Sequence, residues 1–168
     1  MPRAAPAKRQ ELALDENAAR VLRRFRIVFN SVRSHFRQVE RKAGIAGAQL
    51  WALSVIQQHP GIGVTQLAHA MDVHQSTASN LLRPLVQDGL VAADRAETDR
   101  RALRLHVTPA GTRVLRKAPG PFAGVLPQAL LQLDRRTLRR LEADLGTLIE
   151  VLGADEKAGG LPLGRPEP

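Results

Sequence analysis

Cysteine is absent from the chain, which excludes disulfides, thiolate metal sites and cysteine-based redox sensing. Tyrosine is absent too, and aromatic residues make up only 3% of the sequence. That is too few rings for a platform on which single-stranded nucleic acid could stack. Nowhere do about 18 apolar residues run together, so no segment reads as a membrane helix. The first residues also lack a continuous hydrophobic signal segment, and a soluble, cytoplasmic chain is expected. Acidic residues are scarce as well. Against 25 Lys and Arg stand 16 Asp and Glu, a formal net charge of +9, and that balance favours a polyanionic partner.

Motifs for chemistry are missing in the same way. The five histidines, His35, His59, His69, His74 and His106, include no pair at i,i+4 spacing and no Glu between two of them, as a helical metal site would need. No Gly-x-Ser-x-Gly elbow or P-loop lysine occurs, and Ser76 and Ser79 have no base that the sequence identifies. Gly61-Ile62-Gly63 is no dinucleotide loop, because no strand precedes it and the third glycine is missing. No cofactor, metal or enzymatic activity is expected.

What remains is a chain of 168 residues, 43% hydrophobic, enough for one domain with extensions. It is organised around residues 64–107. A short helix is predicted from Thr65, taken as its N-cap, to Met71, with Leu67 and Met71 on one face. Asp72 and Val73 make a turn. A second helix follows from about His74 to Asp88, with Gly89 placed for a left-handed cap. Its inward residues are Ala78, Leu81, Leu82 and Leu85. The residues assigned outward are His74, Gln75, Ser76, Thr77, Ser79 and Asn80, with Arg83 one turn on. An α-helix is the right width for a DNA major groove, and Gln or Asn can pair bidentately with adenine while Ser or Thr reaches a base or phosphate. Pro84 falls inside this helix and is expected to bend it, aiming Arg83 at the DNA backbone.

A β-hairpin comes next. Leu90 to Asp94 and Ala102 to Val107 read as strands, the second alternating apolar Leu103, Leu105 and Val107 with outward Arg104 and His106. The intervening loop holds Arg95, Asp99, Arg100 and Arg101. Such a tip can reach the flanking minor groove, where narrow A·T-rich sequence attracts arginine, and Asp99 is placed to hold Arg101 extended. Together these elements form a winged helix-turn-helix.

At these residues the chain resembles the MarR family of transcriptional regulators. The similarity lies in Leu67 to Leu82 (LAHAMDVHQSTASNLL), Gly89-Leu90-Val91, and Asp99-Arg100-Arg101 followed by Leu103, Leu105, Thr108 and Gly111. Its most specific part is the Asp-Arg-Arg wing with the Leu-x-Leu-x-Val-Thr-Pro-Ala-Gly run. The resemblance implies a homodimer that binds a pseudo-palindromic double-stranded DNA operator, usually as a repressor, and often lets go when a small aromatic or anionic compound binds. It also implies that the first helix and the last two build the dimer.

The flanking segments fit that plan. Residues 1–14 read as a disordered basic arm. From about Asp15 to Ala43, apolar Val21, Leu22, Phe25, Val28, Phe29, Val32, Phe36 and Val39 recur at threes and fours, one long amphipathic helix. Gly47 to His59 makes another, carrying Trp51, for which core packing is the commoner role of a buried aromatic. Thr108 caps a helix that begins at Pro109, and Ala118-Pro119-Gly120-Pro121 interrupts it. A stripe then resumes through Phe122, Leu126, Ala129, Leu130 and Leu133. Asp134 is an N-cap for a final helix whose Leu138, Leu141, Leu145, Leu148, Ile149 and Leu152 again share a face. Two such stripes in one small domain suggest a mate. The predicted fold is mainly α with a small wing: residues 15–43 and 109–152 for dimerisation, 44–108 for DNA, and 153–168 as a flexible tail.

The resemblance also implies an effector pocket where the dimer helices meet the winged domain, between the first, second and fifth helices. Trp51 would supply a flat wall, His35 would face the junction, and Arg33 or Arg113 would pair with an aromatic carboxylate. Each of these also has a plain reading, as an interface histidine or surface arginines. Two other functions compete with a ligand-responsive repressor. One is an effector-independent architectural DNA-binding protein; the more distant is a structural dimer without nucleic acid.

Overall fold

The computed structural model describes residues 15–95 and 103–163. Helix α1 spans Glu16–Ala43 and ends on Gly44, whose left-handed φ of 75° turns the chain. Helix α2, Gly47–Gln58, runs through the centre of the molecule: Leu50, Leu53 and Ile56 are fully buried there. Around it lie Val39 of α1, Leu67 and Met71, Leu85, and Leu105, all at 1% exposure or less. Burying side chains of this size stabilises by about 1.5–3 kcal/mol each, so the core sits behind the short helices of the winged domain. Among the described residues no helix is long and apolar enough to cross a membrane.

Helix α3 covers Val64–Ala70 and helix α4 Gln75–Gln87. The start of α3 differs from expectation. Its N-cap is Gly63, not Thr65, and the orphan N–H of Gly63 donates to Gln66 Oε1 at 3.1 Å, so a glutamine one turn inside does the capping. Asp72 makes the α3–α4 turn with φ 51°, a left-handed conformation that Asp tolerates better than most residues. Pro84, the expected place of a bend, falls inside α4, which continues through it as one element. Proline in a helix interior costs about 3 kcal/mol. Leu81, Leu82 and Leu85 on either side are 5%, 6% and 1% exposed, and together their burial outweighs that cost.

Strands β1 (Val91–Arg95) and β2 (Leu103–Val107) form the hairpin, antiparallel with Val91 opposite Val107 and Arg95 opposite Leu103. Leu105 is buried as its alternation demands, but Leu103, expected inward, is 41% exposed because it lies beyond the core toward the hairpin tip. A bridge that periodicity does not show stitches the hairpin to the loop before α3. Gly61 N–H donates to Leu105 O at 2.9 Å and Leu105 N–H to Ile62 O at 3.1 Å.

Helix α5, Pro109–Lys117, starts at the expected cap, with Gly111 N–H donating to Thr108 Oγ1 at 3.1 Å. The stripe expected from Phe122 to Leu133 is only partly helical: α6 covers Val125–Leu131. Helix α7 is Arg135–Leu152. Asp134 caps it as predicted, accepting from the N–H groups of Arg136 and Thr137, both at 2.9 Å, and from the Thr137 hydroxyl. These donors, Thr137 first, hold its carboxyl below the usual carboxylate range. The tail does not simply hang free. A 3-10 turn, Glu156–Gly160, follows, and the chain returns to the body as far as Leu163.

Candidate nucleic-acid interface

The start of α4 is built to meet an anion. His74 is its N-cap and makes no side-chain cap bond, and no acidic residue occupies the first turn. The unpaired N–H groups and the positive end of the helix dipole therefore face outward unneutralised. Gln75, Ser76, Ser79, Asn80 and Arg83 are all exposed, as is His74. The Ser79 hydroxyl donates to Gln75 O at 2.9 Å, leaving its lone pairs directed away from the helix. Arg83 reaches back to Asn80 Oδ1 at 3.5 Å. That contact joins the cation to the amide instead of sending it straight out, and it leaves the Asn80 NH2 group as a donor.

Thr77 is the exception on this helix. Assigned to the outward face, it is only 7% exposed. A signal for this was present in the sequence: Thr77, Leu81 and Leu85 are spaced four apart and so share one ridge. Of the wing residues, the backbone of Arg95 closes β1, whereas Asp99, Arg100 and Arg101 lie outside the described residues.

The four candidate effector residues do not converge. Trp51 lines a hollow of about 280 Å³ bounded by Val32 and Phe36 of α1, by Met71 to Val73, by residues 122–127 and by the returning tail. His35, Arg33 and Arg113 are not among its walls. His35 is buried instead on a neighbouring face of α1, with Nε2 3.0 Å from Pro121 O and its ring edge-on to Phe36. Arg33 and Arg113 are exposed. Only Trp51 of the set therefore meets the hollow. The periodicity that placed His35 beside Val28, Val32 and Val39 did not separate two neighbouring faces of α1. The tail's contribution to the wall went unseen, although Leu161-Pro162-Leu163, apolar residues in a glycine- and proline-rich stretch, was its trace.

A two-stranded wing, a helix pair ending in an exposed polar reading face with no acidic residue, and the buried hub of α2 define a winged-helix DNA-binding regulator. Comparison with known proteins narrows this. The MarR family profile matches residues 43–102. A protein of Thauera aromatica named for transcriptional regulation of the hcr operon is 33% identical over 121 residues, covering 71% of this chain and 68% of that protein. Among solved structures, the M. tuberculosis regulator MOSR in complex with DNA aligns at 26% identity and TM-score 0.51, over 80% of this chain and 97% of that one. The S. aureus MepR–DNA complex shares the fold at 23% identity and TM-score 0.54, again over 80% and 97%. The chain belongs to the MarR family. It is a DNA-binding transcriptional regulator of that type and not an enzyme.

Proposed function

We propose that the chain works as a homodimeric repressor, that paired α4 helices read the two halves of a pseudo-palindromic operator, and that a small effector releases it. The observation that carries this reading is the outward face of α4, where Gln75, Ser76, Ser79, Asn80 and Arg83 lie exposed together behind an acid-free helix start. We assign Arg95, Asp99, Arg100 and Arg101 to DNA contact as well.

The dimer is supported by apolar surface that one chain leaves wet. On α1, Val21, Val28 and Phe29 are 54%, 41% and 60% exposed along one stripe, and on α7 Leu141, Leu145, Leu148 and Leu152 are 37%, 42%, 37% and 68% exposed along another. Monomers rarely keep so much contiguous apolar area in water. We assign residues 15–43 and 109–152 to this mating surface and 44–108 to DNA. For the effector, the hollow beside Trp51 is apolar and its walls include no Arg or Lys. An uncharged apolar compound suits it better than the aromatic carboxylate expected from Arg33 or Arg113, since a buried carboxylate needs a partner.

Footprinting on the DNA beside the protein's own gene tests the reading. Two symmetric protected patches are expected, centred about 34 Å apart, one duplex turn. Affinity that falls with salt yet shows no preference among sequences would refute it and favour an architectural binder.

A further inference from the structure

The C-terminal return is seated against the reading head itself. Gly160 packs on the imidazole of His74, the N-cap of α4. A Cβ added there would lie 2.5 Å from His74 Cδ2 and 2.6 Å from Nε2, closer than any side chain allows. The next three residues, Leu161, Pro162 and Leu163, help to close the apolar hollow opposite Met71, Asp72 and Val73, which form the α3–α4 turn. One short segment thus touches both the turn of the helix pair and the first residue of the helix that reads DNA.

We propose that residues 156–163 are a latch that restrains DNA binding by occupying the approach to the N-terminus of α4. The proposal rests on the DNA-reading role given to α4. Recognition helices enter the major groove with their N-terminal residues foremost, so a turn of chain parked on the N-cap stands where the duplex must pass. The seating is light enough to be reversible. Leu161 and Leu163 keep 43% and 62% of their surface in water, so each gains only part of the stabilisation that full burial of a leucine supplies. A weakly seated latch with two populations, docked and lifted, lowers apparent affinity by the fraction that remains competent.

The test is made in the full chain with Leu161→Ser and Leu163→Ser together, neutral changes that strip the latch of its apolar grip and add no charge. A second variant ends at Ala154. The probe is a labelled duplex selected from a random pool by the unaltered protein, titrated at one fixed salt concentration. If the latch is docked about nine-tenths of the time, both variants bind roughly tenfold more tightly than the unaltered chain. In the free proteins, the His74 ring resonances should shift by the same amount in both variants, since both lose the Gly160 contact. Unchanged or weakened affinity in the doubly substituted chain overturns the latch, and so do His74 signals that stay in place. Both results leave the DNA reading intact. No duplex bound by any of the three chains would instead overturn the role of α4, and the latch with it.

Discussion

Gly111 is where the winged domain is joined to α5, and replacing it by alanine should loosen that joint. A Cβ at this position would lie 2.3 Å from Leu90 O, 2.8 Å from Val107 Cγ1 and 3.2 Å from Leu53 Cδ1. The nearest obstacle is a backbone carbonyl held in place by other bonds: Leu90 O accepts from Thr108 N–H at 3.0 Å and from Thr108 Oγ1 at 3.2 Å. Neither side can give without breaking contacts. Overpacking of this kind costs about 1–3 kcal/mol, and a backbone clash belongs at the upper end. Stretching the Thr108 bonds adds roughly 1 kcal/mol, while the better helix propensity of alanine returns about 1 kcal/mol. The net loss is about 3 kcal/mol, which for a chain of this size lowers the Tm by roughly 6–12 °C. Scanning calorimetry reads this directly. Gly146→Ala supplies the control: in the middle of α7, with no atom within 4 Å of the added Cβ, it should raise stability by about 0.5–1 kcal/mol. A Gly111→Ala protein melting within about 2 °C of the unaltered chain would refute the packing argument.

Other consequences can be checked alongside. Gln75→Ala should cost about 1–3 kcal/mol of operator affinity and blur preference at one base position, whereas Arg83→Ala should weaken binding to all duplexes and flatten its salt dependence; competition titrations at several salt concentrations separate the two. Ile149→Glu, on the exposed stripe of α7, should leave the winged domain folded but convert the dimer to monomer in light scattering, and operator affinity should fall with it. Asp134 titrates low in the folded chain, so its contribution to α7 is complete above the unfolded carboxylate pKa and fades as pH falls through the folded value. Asp134→Asn should remove that acid-side dependence from thermal melts, and an unaltered slope below about pH 4 would count against the cap.

Much of the architecture is legible in the sequence because its signals are local. The stripe of α1, the Thr108-Pro109 start of α5 and the Asp134 start of α7 each sit within one or two turns of sequence, and all three stand where expected. Features that depend on distant partners were not legible. That α4 continues through Pro84 rests on how deeply Leu81, Leu82 and Leu85 are buried, and burial is a property of the assembled core. Thr77 looks like a groove residue by type, yet its ridge carries it inward. Why only Trp51 of the effector set meets the hollow has the same cause, since periodicity places residues on a face without saying what packs there. The tail's return to His74 spans most of the chain, and composition alone made it look like a loose end.

The bridge between Ile62 and Leu105 gives the reading head a mechanical character. Because the hairpin is fastened both to the segment before α3 and, through Thr108 and Gly111, to α5, it cannot swing as an independent finger. Helix α4 and the strand base travel as one plate. In the proposed dimer, adjustment to a misplaced half-site then comes from tilting whole plates against each other, and an operator with one base pair inserted at its centre should be met by rejection and not by compromise.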